Sequence, residues 1–141
     1  MGLDQYAYVA MYPGQRDEYY ASGKCVDGQW HSTVDEAREL AYWRKHPNLQ
    51  GWMELLWESK GRPSAENTGA IFNCVELELT WEDVDRLEKD IKSGKVSELG
   101  TQGFFFGNPS DDYYREYDLK FCINAKAELF LGLRVFYNSS W

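Results

Sequence analysis

Leu49, Trp52, Met53, Leu56 and Trp57 recur at spacings of three and four residues. That rhythm puts five large apolar side chains on one face of an α-helix. Pro47 suits its first position, where a missing N–H costs nothing, and Gly61 suits its exit. So apolar a face has to be covered by another layer of secondary structure. Two segments alternate as strands do. Leu3 to Tyr12 sets Tyr6, Tyr8 and Ala10 against Ala7, Val9 and Met11, and stops at Pro13-Gly14. Ile71 to Leu79 sets Ile71, Asn73, Val75, Leu77 and Leu79 against Phe72, Cys74, Glu76 and Glu78. This second segment is expected as a half-buried strand antiparallel to the first.

Capping signals define further helices. Thr80 with Asp83 opens one whose inner stripe is Val84, Leu87 and Ile91, with Glu88 at its flank and Gly94 as its stop. Thr33 with Glu36 predicts another, with Ala37, Leu40, Ala41 and Arg44 on one face, ending at His46-Pro47. Asp111 caps a last long helix, with Tyr114, Tyr117, Phe121, Ala125, Leu129 and Phe136 on its buried side. Gly132 and Val135 weaken that helix near its end, so residues 130–141 stay open between helix and strand. Gln15 to Trp30 is polar and aperiodic, with a tight-turn signal at Asp27-Gly28 that suits a short hairpin. Lys95 to Ser110 reads as a long loop. Strands and helices alternate irregularly, without repeat or linker. The expectation is one α+β domain over residues 1–141, a small antiparallel sheet packed against three to four helices.

Composition narrows the function classes. The net charge of −8 argues against a surface that binds nucleic acid and allows a basic partner. No apolar stretch approaches the roughly 20 residues of a membrane span. The N-terminus lacks a signal-peptide pattern, and Tyr6 stands where a myristoylation motif needs Ser or Thr. Cys25, Cys74 and Cys122 are odd in number and widely spaced, which fits the cytoplasm better than a disulfide framework. With no C-x-x-C pair, and only His31 and His46 as imidazoles, no metal site or cofactor is predicted. Phosphate loop, dinucleotide fingerprint and nucleophile elbow are all missing from the sequence. The acidic stretch Glu76 to Asp90 suggests a nucleic-acid mimic, but Glu82–Arg86, Asp85–Lys89 and Glu88–Lys92 are spaced to neutralise one another.

Aromatic residues make up 16% of the chain and concentrate in two segments. Trp43-Arg44-Lys45-His46 sets an indole beside three nitrogen bases. Such a group can grip a carboxylate or phosphate, and it can equally form a basic helix end with Arg44 paired to Asp4 or Asp118. Gly103-Phe104-Phe105-Phe106-Gly107 is either a doubly covered core strand or an exposed site. Tyr114, Tyr117 and Asp118 would share a helix face beside it. The candidate ligand-binding residues are therefore Asp4, Trp43, Arg44, Lys45, Phe105, Tyr114 and Asp118, with no catalytic residue assigned.

The order Met1-Gly2-Leu3-Asp4-x-Tyr6-x-Tyr8, Tyr42-Trp43-Arg44-Lys45, Trp52, Gly103-Phe104-Phe105-Phe106-Gly107 and Tyr113-Tyr114 resembles a family of small uncharacterised bacteriophage and prophage proteins. The resemblance covers residues 1 to about 118. Some members carry a phosphoglycerate kinase label, an activity for which this chain has neither the length nor the nucleotide loop. The chain departs from the family pattern at Gln5, often Met there, at His46-Pro47, where Ala or Asn is usual, and in the longer tail from Leu131 to Trp141. The resemblance implies a setting, the cytoplasm of a phage-infected host, rather than a chemistry. The leading expectation is a binding protein, monomeric or homodimeric, acting on a host protein or a small anionic metabolite, with no nucleic acid or membrane partner. The alternative is a small enzyme acting on a nucleotide or other phosphorylated metabolite through Arg44, Lys45 and His46 with Asp4 or Asp118.

Overall fold

The structure is a computed structural model that describes residues 2–63, 71–96 and 114–141. Phe105, the rest of the three-Phe segment and the Asp111 cap lie outside the described residues. Within them the chain is α+β. Strands β1 (Asp4–Ala10), β4 (Arg38–Arg44), β5 (Leu77–Leu79) and β6 (Arg134–Ser140) form an antiparallel sheet in the order β4-β1-β6-β5. Strands β2 (Lys24–Val26) and β3 (Gln29–His31) form a separate hairpin. The helices are α1 (Gln15–Ser22), α2 (Pro47–Ser59), α3 (Trp81–Ser93) and α4 (Arg115–Phe130).

One sheet face packs against α2, α3 and α4. Ala7 and Val9 of β1, Ala41 and Trp43 of β4, and Val135 and Tyr137 of β6 point into this core. All five apolar residues of the Leu49–Trp57 stripe are buried in it, as their spacing predicts. Val84, Leu87 and Ile91 enter from α3, and Phe121, Cys122 and Ala125 from α4. Burial pushes the Cys122 thiol up to about 12, so it packs as a small apolar group. The opposite sheet face carries Tyr8, Ala10 and Phe136, with Tyr6 and Ala37 packed on them. α1 touches this face through Arg16, whose guanidinium lies over the Tyr6 and Tyr8 rings.

The turn chemistry agrees with the sequence at several points. Asp27 and Gly28 both take positive φ, 53° and 79°, and close the β2–β3 hairpin in the mirror-image turn that strand twist favours. Thr80 and Asp83 make both halves of a capping box. Gly61 and Gly94 take the left-handed conformation just beyond α2 and α3.

Four expectations are corrected. Residues 38–44 are a strand, not the predicted helix, because pairing with β1 from Asp4↔Arg44 to Val9↔Arg38 satisfies a backbone that a lone helix would have satisfied locally. Of the segment 71–79, only Leu77–Leu79 joins the sheet, and it pairs with β6 rather than with β1. Upstream, Cys74 has φ 58° and donates its N–H to the Ser139 carbonyl, while the Asn73 amide holds the Trp141 backbone at both its N–H and its carbonyl. That irregular clasp replaces a ladder. Residues 15–22 form a helix where no period predicted one; only Gln15 of it is buried. Residues 134–140, left open by the sequence, are the strand β6, and Phe136 lies on the sheet rather than on the last helix.

Candidate functional site

Strand alternation sorts the Tyr42-Trp43-Arg44 segment into two faces. Trp43 points inward and is 0% exposed, while Tyr42 and Arg44 point outward. The Trp43 ring meets Phe121 edge-on at 5.1 Å and Tyr117 at 5.8 Å. Its Nε1 donates to Oδ1 of Asp118 at 2.7 Å. A helix would have carried Trp43, Arg44 and Lys45 round one surface; the strand makes Trp43 core and leaves Arg44 on the surface.

Lys45 takes φ 57° and turns the chain out of the sheet, its N–H donating to the Leu3 carbonyl at 2.8 Å. This reversal drops His46 inward at the mouth of α2. His46 Nε2 lies 2.6 Å from Oδ2 of Asp118, with the two side chains 3% and 4% exposed. A carboxylate has only acceptor sites, so the imidazole N–H donates to it. The Tyr114 ring stacks on His46 at 4.4 Å, and its hydroxyl donates to the Arg44 carbonyl at 2.5 Å.

The polar network continues inward. The Gln5 amide accepts from the His46 N–H at 2.9 Å and donates to the His46 carbonyl and to the Tyr137 hydroxyl. Tyr137 donates to Gln50 at 2.5 Å. Burial pushes the Tyr137 phenol far above its ordinary range, so it remains a neutral donor. Gln5 and Gln50 gave no functional signal in the sequence, although Gln5 stands in a strand position that faces the core.

Arg44 does not enter this network. Its side chain is 60% exposed, and its guanidinium approaches Asp4 only to 3.7 Å. Asp4 accepts a shorter bond, 2.6 Å, from the Tyr42 hydroxyl, which raises the Tyr42 phenol. β4 is an edge strand, and two tyrosines of the α4 region occupy its open backbone groups. Tyr117 accepts from the Tyr42 N–H at 3.0 Å, and Tyr114 donates to the Arg44 carbonyl.

Beside this capped edge lies a cleft of ≈ 530 Å³ lined by Tyr42, Arg44, Tyr114, Glu116, Tyr117 and Lys120. It unites Arg44 and Tyr114 from the sequence-predicted set. Trp43 and Asp118 lie in the core, Lys45 is exposed at the turn, and Asp4 flanks the cleft through Arg44 and Tyr42. Lys120 and Glu116 were not anticipated, although Lys120 follows Glu116 and Tyr117 by four and three residues on one helix face. No group of three or more His, Cys, Asp or Glu side chains among the described residues is arranged to hold a metal ion. No helix among them is long and apolar enough to cross a membrane. Comparison of the chain with protein-family models, curated proteins and solved structures gave no significant match.

Proposed function

We propose that the chain is a binding protein of the phage-infected host cytoplasm, as its sequence resemblance implies, and that it takes a small anionic metabolite into the cleft beside β4. The observation that carries this reading is the state of Arg44. Its guanidinium is exposed, only loosely held by Asp4, and shares the cleft with the Lys120 ammonium and three phenol rings. A fork of guanidinium donors can clamp a phosphate or carboxylate in two bonds, and tyrosine rings offer broad faces to a planar ligand. In a chain of net charge −8, two cations against the single Glu116 carboxylate of the lining give this cleft a local charge opposite to the field that otherwise repels anions.

A second reading draws on the His46–Asp118 pair, which has the geometry of an imidazole oriented by a carboxylate. It would make the chain an enzyme acting on a phosphorylated metabolite. Tyr114 both lines the cleft and covers His46, so the imidazole would reach a ligand only after that ring moved.

Thermal-shift screening against nucleotides and phosphorylated metabolites tests both readings. A true ligand at a hundredfold excess over its Kd should add about 2.7 kcal/mol of stability, and Arg44→Ala with Lys120→Ala should abolish the shift. Phosphorus NMR of the stabilising compounds then separates binding from turnover. If no small molecule stabilises the protein while a specific host protein is recovered with it, the metabolite is wrong and the host-protein form of the reading stands. If neither a stabilising compound nor a specific host protein is found, the proposal fails.

A further inference from the structure

A second cleft, of ≈ 520 Å³, opens on the sheet face that carries Tyr6 and Tyr8, and no residue lines both clefts. Tyr6, Tyr8 and Tyr20 supply its aromatic walls, and Arg16, Glu36 and Glu39 its charge. Arg38 also borders it, but its guanidinium is engaged by Glu128 of α4 at 2.5 Å. Glu36, Glu39 and Arg16 form no ion pair among the described residues. Two carboxylates and two guanidiniums thus line the cleft, and with Arg38 held by Glu128, Glu36 and Glu39 remain for a cation.

What Arg16 does there is informative. Its guanidinium carbon lies 5.3 Å from the centroid of the Tyr6 ring and 5.1 Å from that of Tyr8. Both distances are within the range over which an aromatic face attracts a cation. Tyr8 is only 2% exposed with Arg16 over it. The Tyr8 ring is held from its far end, since its hydroxyl donates to Glu76 at 2.6 Å. Burial and then that carboxylate raise the Tyr8 phenol. The helix that delivers Arg16 is lightly anchored. α1 has no side-chain cap, buries only Gln15, and is exposed over most of its length.

We infer that this cleft binds an organic cation, a guanidinium or alkylammonium group, and that Arg16 occupies the place of that cation over Tyr6 and Tyr8 in the unliganded chain. The built-in guanidinium identifies the chemistry the rings accept, and Glu36 and Glu39 supply the charge to hold a cation brought from outside. The competition scales the apparent affinity down to the fraction of time Arg16 is away from the rings.

The test is an NMR titration of the full chain with methylguanidinium, following the Tyr6 and Tyr8 ring signals. The wild type should show saturable shifts. Arg16→Ala should bind about tenfold tighter, because the internal competitor is gone, and Glu36→Gln with Glu39→Gln should weaken binding severalfold. Should Arg16→Ala fail to fold, Arg16→Gln keeps most of the stem without the charge and must show the same gain. N-acetyl-arginine amide and a glycine-flanked arginine pentapeptide then separate the sources. Tighter binding of the peptide marks a protein ligand, equal binding a free small molecule, and both support a cation site. Absence of ring shifts in the wild type, binding confined to the Arg16 variants, or equal shifts with methyl phosphate would overturn the inference.

Discussion

At Asp118 one carboxylate meets two nitrogen donors inside the core, the Trp43 indole at 2.7 Å and the His46 imidazole at 2.6 Å. A buried donor that loses its partner bears the full cost of desolvation. Asp118→Ala should therefore cost about 3 kcal/mol, read as a lower urea midpoint by circular dichroism. Asp118→Asn keeps one acceptor oxygen and should lose less. The sequence put Asp118 and Trp43 among the candidate site residues, and the structure brings them together as core. Their residue types could not separate the two roles, because a carboxylate beside an indole serves a ligand pocket and a satisfied buried network equally well. Strand parity decides it. Trp43 faces the helices, and Arg44, one residue on, faces solvent.

Among the elements, α3 is the one whose sequence signals are most fully realised. Its capping box forms, its stripe is buried, and Asp85–Lys89 and Glu88–Lys92 pair along its surface. Arg86 departs from the anticipated pairing with Glu82, approaching Asp83 instead at 3.8 Å and lying over the Trp52 ring. Lys60, from the end of α2, bonds both the Glu78 carbonyl and the Asp83 carboxylate at 2.6 Å. Burial alone would raise Asp83, but Lys60 and the Thr80 hydrogen bonds outweigh it and hold the carboxyl below its ordinary 3.8. On acidification the unfolded chain takes up this proton first. The contribution is thus complete above the unfolded pKa and is lost as the pH falls through the lower folded one. Lys60→Met should lower stability by about 1 kcal/mol near neutrality, a partly exposed pair being screened by solvent. Urea midpoints taken down a pH series should show the gap to the wild type narrowing below about pH 4. The helix expected at 33–44 failed for a reason of its own. Thr33, Glu36 and the spacing of Ala37, Leu40 and Ala41 are real helix signals, but Ala41 and Trp43 also alternate with Tyr42 and Arg44, and an unpaired edge of β1 selects the second pattern.

For the molecule as a whole, β6 is the strand on which the sheet depends. It lies between β1 and β5, pairs with both, and sends Val135 and Tyr137 to one face and Phe136 to the other. A chain ended after Phe130 should leave β1 and β5 without their shared partner and show no cooperative thermal transition in calorimetry, whereas the full chain unfolds in one. This also shows where the sequence stops being decisive. Local chemistry set the Leu49–Trp57 face, the Thr80–Asp83 cap, the Asp27-Gly28 turn and the α+β class, because each depends on neighbours within a few residues or on a simple period. The strand identity of 38–44, the pairing of β5 with β6 and the division of Trp43-Arg44 between core and cleft were decided by the tertiary structure. A β-ladder satisfies its hydrogen bonds on residues far away in the chain, and Asp4 meets Arg44 and Ser140 only when the sheet has formed. The two clefts follow from that register together with the helices packed beside it, since these place Tyr42 and Arg44 near Tyr114 and Lys120, and Tyr6 and Tyr8 near Arg16.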